Sequence, residues 1–328
     1  MISIRVPLRI SLFGGGSDLP SYFNQYGGFV VGFTINRYIY IHSSKIEVNQ
    51  SFKFRLSYKK NEDVKHIDEI KHPIFREVLR EQGLDGSYHF TTMSCLPAGS
   101  GLGSSSAFTV GFCYLLNELS GRSQNSLELA QRAINIERNV LAEAGGWQDQ
   151  LHSAFGGVNS FEFLEDGTVV RKALELSENG SRELNSNMYI LYSGILRQAK
   201  VIEEEKLKNI NDSMITNIKD LAREGQILVQ KHNIDLADVG RLLNDGWNIK
   251  KSLSKGVSSS VIDDIYALIL KSGAYGAKLC GAGGGGFFMV LANPKSAEFL
   301  RDKLPPGNLS KINICLLYTS DAADDLLC

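Results

Sequence analysis

Three glycines and four serines crowd into Pro97-Ala98-Gly99-Ser100-Gly101-Leu102-Gly103-Ser104-Ser105-Ser106-Ala107, directly before the apolar run Phe108–Leu116. This junction limits the fold more than any other part of the chain. The apolar run reads as a buried helix that begins at the serines. Glycines allow positive φ and close backbone approach. A helix N-terminus offers unpaired N–H groups and a partial positive charge to an anion. Serines there can cap the helix, bond a phosphate oxygen or ligate Mg²⁺. The stretch reads as a cradle for a nucleoside triphosphate, with Pro97, Gly99, Ser100, Gly101, Leu102, Gly103, Ser104, Ser105 and Ser106 as its binding residues. No lysine follows the last glycine, so it is not a Walker A loop. A Gly/Ser turn that merely feeds the chain into a helix has a similar composition.

The chain has 328 residues, enough for two domains of ordinary size. Its formal net charge of −1 argues against bulk binding to nucleic acid or an anionic membrane. Arg5 and Arg9 interrupt any apolar leader, and no window approaches the roughly 18 apolar residues of a membrane span. Five scattered cysteines without a C-x-x-C pair fit free thiols in a reducing, cytoplasmic setting.

Strands are expected at 29–35, 38–42, 52–58, 88–93, 157–163, 188–193 and 287–292, from β-branched and aromatic runs. Residues 61–72 read as a charged loop and 73–82 as a short helix. A helix capped by Ser126 runs through Leu129, Ala133, Ile136 and Val140 to Gly145-Gly146. From 199 to 272 the pattern is helical, broken near 209–212, 233–235 and 254–259. Polar breaks at 165–167 and 178–181 place the domain border between them. Residues 317–328 continue no pattern and are expected to be a non-native tail without function.

Three further stretches stand out. Pro7–Asp18 is an alternating strand that carries Arg9 and ends in Gly14-Gly15-Gly16-Ser17-Asp18. Gly145-Gly146-Trp147-Gln148-Asp149-Gln150 places a carboxylate on a glycine-rich turn. Five glycines occupy six positions in Gly281–Gly286, an entropic cost that calls for a structural reason. Each has a plainer reading: a hairpin turn, an exposed loop aspartate, a tight connection. Arg197 and Lys200 read as solvated charge or as contacts to a second substrate phosphate, and Trp147 as a core residue or a sugar platform.

Taken in order, these stretches resemble the motifs of the GHMP kinases. The first is similar to their P-x-x-x-G-L-G-S-S-x-A loop and the last to their K-x-x-G-A-G-x-G-G loop. The resemblance implies an α+β fold, with an N-terminal ribosomal-S5-like domain 2 over 1–170, a C-terminal ferredoxin-like domain over 171–316, and ATP between them. It implies a base at Asp149, a basic residue at Arg9 beside the reacting hydroxyl, and Mg²⁺ held by Glu137 with Ser105. Gly283 and Gly284 would contact the nucleotide. Gly15, Gly16, Ser17 and Asp18 would contact the sugar. Galactokinases carry Glu-His where this chain has Gly15-Gly16, and the G-G-G-S-D version is similar to the D-glycero-D-manno-heptose 7-phosphate kinases. The expected reaction is ATP-dependent phosphorylation of the anomeric hydroxyl of a sugar phosphate. A fucokinase-like sugar-1-kinase and a non-catalytic sugar or ATP sensor remain alternatives. The oligomeric state is not readable.

Overall fold

In a computed structural model the chain is described over residues 1–48, 50–97, 99–195, 211–254 and 256–315. Arg197, Lys200 and the 317–328 tail lie outside the described residues. The N-terminal half contains β1 (Ile2–Phe13), α1 (Pro20–Tyr26), β2 (Gly28–Lys45), β3 (Phe54–Ser57), β4 (Asn61–Val64), α2 (Pro73–Gln82) and β5 (Tyr88–Ser94). It continues with α3 (Ser104–Ser120), α4 (Ser126–Ile134), α5 (Gln148–Phe155), β6 (Val158–Phe163) and β7 (Val169–Ala173). The remainder is α6 (Glu178–Asn187), β8 (Met188–Tyr192), α7 (Asp212–Val229), α8 (Leu236–Ser252), α9 (Ser260–Lys271), β9 (Gly276–Leu279), β10 (Phe287–Leu291), α10 (Pro294–Lys303) and β11 (Leu309–Lys311).

The long strand β2 is the spine of a seven-stranded sheet. One edge of β2 pairs with β1, and its other edge is shared end to end by β5 and β6. Two separate strands were expected here. Instead Asn36 and Arg37 bulge between Ile35 and Tyr38, opposite Leu8 and Pro7, and the strand continues. The second sheet has four strands in the order β11-β8-β10-β9. Met188 and Ile190 face the main core while Tyr189 and Leu191 face a second core around Trp247 and Phe288. Burial on both faces explains why β8 and β10 read as continuous apolar runs.

Other expectations shift for physical reasons. The turn at 165–167 is a hairpin: Gly167 donates to the Leu164 carbonyl at 3.0 Å, and β7 runs on through 170 to Ala173. The charged stretch 61–72 is not all loop. Glu62 turns inward and accepts from Tyr58 at 2.5 Å and from the Lys71 N–H at 2.7 Å, which stabilises β4 and the turn after it. The cap of α4 is Asn125, in a capping box with Glu128, and not Ser126. That helix gives way to a π-helical turn over Asn135–Val140, and Ala142 then takes φ 51°, well before Gly145. Among the described residues no helix is long and apolar enough to cross a membrane.

Helix α8 lies very close to β9. A Cβ on Gly240 would stand 2.3 Å from the Tyr275 carbonyl oxygen, and one on Gly276 would stand 2.1 Å from the Gly240 oxygen. Ala normally outdoes Gly inside a helix by about 1 kcal/mol. Gly240→Ala should reverse that sign and destabilise by about 1–3 kcal/mol, because backbone on both sides cannot yield. Chemical denaturation of the variant checks it, and a stabilised protein would contradict the close approach.

Candidate active site

A cleft of about 590 Å³ opens between the two halves. Its walls are the glycine-serine loop, the end of β1, the π-helical turn, the start of α5 and the faces of α7 and α8.

Arg9 joins three of these walls. It is 3% exposed and sits on β1. Its Nε donates to Asp149 Oδ1 at 2.8 Å and its Nη2 to Oδ2 at 2.5 Å, a two-pronged pair. Its Nη1 donates to the Gly101 carbonyl at 2.8 Å, and its backbone N–H to the Leu102 carbonyl at 3.1 Å. Gly103 gives the guanidinium room, since a Cβ there would stand 3.0 Å from Arg9 Cγ. Asp149 lies in the first turn of α5 and not on a loop, with its side chain 26% exposed toward the cleft. Burial raises its pKa, but the charge and hydrogen bonds of Arg9, with help from Arg138, pull it below the ordinary carboxylate range.

The glycine-serine loop enters α3 through Gly103, whose φ of 75° and ψ of 24° leave the helix without a side-chain cap. The N-terminal turn of α3 therefore faces the cleft through Ser104, Ser105 and Ser106. Ser100 and Leu102 hold the loop from behind: Leu102 is fully buried, and the Ser100 carbonyl accepts from the Phe287 N–H at 3.1 Å. Pro97 is exposed at the start of the loop. The second glycine loop braces the first. A Cβ on Gly101 would stand 2.6 Å from the Cys280 oxygen, and one on Gly286 would stand 2.4 Å from the Ser100 oxygen. Gly283 and Gly284 were expected on the nucleotide side. They pack on Val257 instead, with Gly284 donating to its carbonyl at 2.8 Å, and this loop presents Gly281 and Ala282 to the cleft.

Glu137 projects from the π-helical turn and is 1% exposed. Ser106 donates to its Oε2 at 2.8 Å, while Ser105, the expected Mg²⁺ partner of Glu137, is exposed in the same turn and lines the cleft. Thr109 donates to Oε1 at 2.6 Å and Gln150 donates to Oε2.

Gly15, Gly16 and Asp18 line the cleft beside Arg9. Asp18 is 2% exposed and accepts from the Gly16 N–H at 2.9 Å, the Gln148 N–H at 3.1 Å and Gln148 Nε2 at 2.9 Å. Burial raises its pKa, with the two backbone N–H groups working against that. Ser17 does not reach the cleft. It is fully buried, and its hydroxyl is spent on the carbonyls of Gly14 and Phe29 at 2.8 and 2.9 Å. Trp147 packs edge-on against Phe23 at 4.8 Å, in the core.

Sequence reasoning passed over two residues. Gln148 clamps Asp18 with both its backbone and its side chain. Arg138 donates to the Gly146 carbonyl at 3.1 Å and holds the turn before α5. The i−1 neighbour of a helix-start aspartate and the arginine next to Glu137 were the available signals.

The profile of the GHMP kinases N terminal domain matches residues 69–157, and that of the GHMP kinases C terminal matches 219–309. The D-glycero-alpha-D-manno-heptose 7-phosphate kinase of Campylobacter jejuni is 31% identical over 304 residues, 89% of this chain and 90% of that protein. The chain belongs to the GHMP kinases. A crystal structure of a putative sugar kinase from Campylobacter jejuni matches with a TM-score of 0.73 and 26% identity, over 95% of both chains. A D-glycero-D-manno-heptose 1-phosphate kinase from Bacteroides thetaiotaomicron matches with a TM-score of 0.77 and 24% identity, over 97% of this chain and 100% of that one. Membership makes this GHMP kinase an ATP-dependent phosphotransferase of α+β fold, as its sequence motifs implied.

Behind Asp149, on the same helix, His152 is fully buried against Phe161. Burial pushes its pKa down to about 3, helped by the Arg9 charge and opposed by Asp149. In the unfolded chain this imidazole takes a proton below about 6.5, while the folded one refuses it. Its contribution to stability is therefore complete above that value and drains by about 1.4 kcal/mol per pH unit on acidification. Lowered Asp149 adds acid sensitivity at lower pH, and raised Asp18 opposes it. Denaturation from about pH 7 to about pH 4 should show a slope shallower by about one proton in His152→Asn than in the wild type.

Proposed function

We propose that this GHMP kinase transfers the γ-phosphoryl group of ATP to the anomeric hydroxyl of D-glycero-D-manno-heptose 7-phosphate, giving the 1,7-bisphosphate. The carrying observation is the Arg9–Asp149 pair, held at the mouth of an uncapped helix N-terminus within one cleft. The name and 31% identity of the Campylobacter jejuni relative support the choice of sugar.

The phosphates of ATP would lie over the N–H groups of Ser104–Ser106, a site that favours anions by charge and by geometry. Lys250 and Lys278 line the same cleft and add positive charge. Asp149, ionised at neutral pH, accepts the proton of the sugar hydroxyl as the phosphoryl group leaves ATP. Arg9 fixes both carboxylate oxygens and keeps the base ionised. The anomeric hydroxyl is more acidic than an ordinary alcohol, which suits a carboxylate of lowered pKa. Asp18, fixed by Gly16 and Gln148, would orient the sugar ring.

Magnesium fits the donor set. Mg²⁺ takes one or two carboxylates and completes its shell with substrate phosphates and water. Glu137 and Ser105 line the same cleft and offer one carboxylate and one hydroxyl, with Ser106 holding the carboxylate in place. When bound, the ion would neutralise charge on the phosphate oxygens.

The test is ADP release with heptose 7-phosphate, galactose, L-fucose and mannose as acceptors. The heptose phosphate should give the highest kcat/KM; a fucose optimum would move the assignment to a fucokinase-like activity. Asp149→Asn should keep ATP and sugar binding and lower kcat by about 10²–10⁴-fold. Retention of more than about a tenth of the rate would reduce Asp149 to an orienting group. In a magnesium titration, Glu137→Gln should raise the metal concentration needed for half-maximal rate more than it raises the sugar KM.

A further inference from the structure

Two oxygens in the cleft wall are buried without a hydrogen-bond partner among the described residues: Ser11 Oγ and Gln148 Oε1. Both residues are 8% exposed and both line the cleft. A buried acceptor or hydroxyl left unpaired costs about 1–3 kcal/mol, so such a pair calls for an explanation.

The orientation of the Gln148 amide is fixed by Asp18. Its Nε2 donates to Asp18 Oδ1 at 2.9 Å, which turns Oε1 away from that carboxylate. Ser11 lies two residues beyond Arg9 on β1, so both side chains leave the same face of the strand. The two oxygens flank one small space, over Gly15. A Cβ built on Gly15 would stand 3.0 Å from Ser11 Oγ, 3.3 Å from Gln148 Nε2, which is engaged by Asp18, and 4.0 Å from Gln148 Oε1. Gly15 has no positive φ, so its backbone does not demand glycine. What a side chain at this position would take is the space itself.

We infer that Ser11 and Gln148 form a hydroxyl-reading pair for the sugar, and that Gly15 is glycine to leave room for that hydroxyl. The inference rests on the sugar-kinase reading above and adds to it the residues that select the acceptor. A substrate hydroxyl over Gly15 donates its one proton to Gln148 Oε1 and accepts from the Ser11 hydroxyl. Both buried oxygens are then satisfied. A sugar lacking that hydroxyl leaves them unpaired, which is the strongest form of discrimination a polar site offers.

Gln148 also clamps Asp18, so the test uses Ser11→Ala and Gly15→Ala. The wild type is first assayed on the acceptor panel, and its best substrate becomes the probe, together with singly deoxygenated forms of it. Ser11→Ala should raise the sugar KM about tenfold, the scale of one hydrogen bond, with the ATP KM unchanged. Its thermal stability should not fall, because the hydroxyl removed has no partner among the described residues. Gly15→Ala should raise the sugar KM at least as much, and the double variant should be no worse than Gly15→Ala alone. One deoxygenated sugar should be poor for the wild type yet lose nothing further in Ser11→Ala. A wild-type sugar KM in Ser11→Ala overturns the inference, as does an equal rise in the KM of every deoxygenated sugar. Failure of the wild type on every acceptor would instead sink the proposed function, and this inference with it.

Discussion

Arg9 is the contact on which the site depends. A guanidinium cannot shed its charge inside a protein, so a buried one must find acceptors for its donors. Here burial works against the charge, and Asp149 more than offsets it, raising the Arg9 pKa. A further donor, on Nη1, goes to the carbonyl of Gly101. One side chain thereby fixes the distance between the glycine-serine loop and the start of α5. These segments lie far apart in sequence and share no strand pairing; this ion pair sets their registry together with Glu137, which accepts from Ser106 on α3 and Gln150 on α5.

Two aspartates line the cleft and are tuned in opposite senses. Asp149 is paired with a cation and has its pKa lowered. Asp18 is deeper, held by backbone and amide N–H groups without a direct cation, and its burial raises the pKa. The difference suits a division of labour in which one group takes a proton and the other holds geometry.

How far the sequence could be read depended on what kind of information each feature needs. The loops around Gly101, Gly15 and Gly283 were visible because glycine clusters are costly without a reason. Arg9 and Asp149 were reached through the motifs that contain them. The direct bond from Ser106 to Glu137 was not visible, because it depends on the rotational phase of α3 relative to Glu137. The roles of Ser17, Gly283 and Gly284 were misplaced for a related reason. They are small residues in the right motif, but they serve the fold from behind the cleft wall. Gln148 and Arg138 act on residues brought close only by the reversal of the chain after the π-helical turn. On the fold side, the strand and helix positions followed from periodicity, while the continuity of β2 depended on its own bulge at Asn36 and Arg37 opposite an unbroken β1.

The seam between the two glycine loops is written in main-chain atoms: Ser100 to Phe287, and Gly101 against Cys280. Main-chain atoms are common to all residues, so side chains near the seam are free to drift during divergence. The glycines are the exception, since any side chain there would separate the loops. The seam should therefore be intolerant of any side chain at Gly101 and Gly286, while at the buried Ser100 and Cys280 only side-chain size is restricted. A joint of this kind can pass unchanged between kinases of different acceptor preference, while the walls on either side are rebuilt.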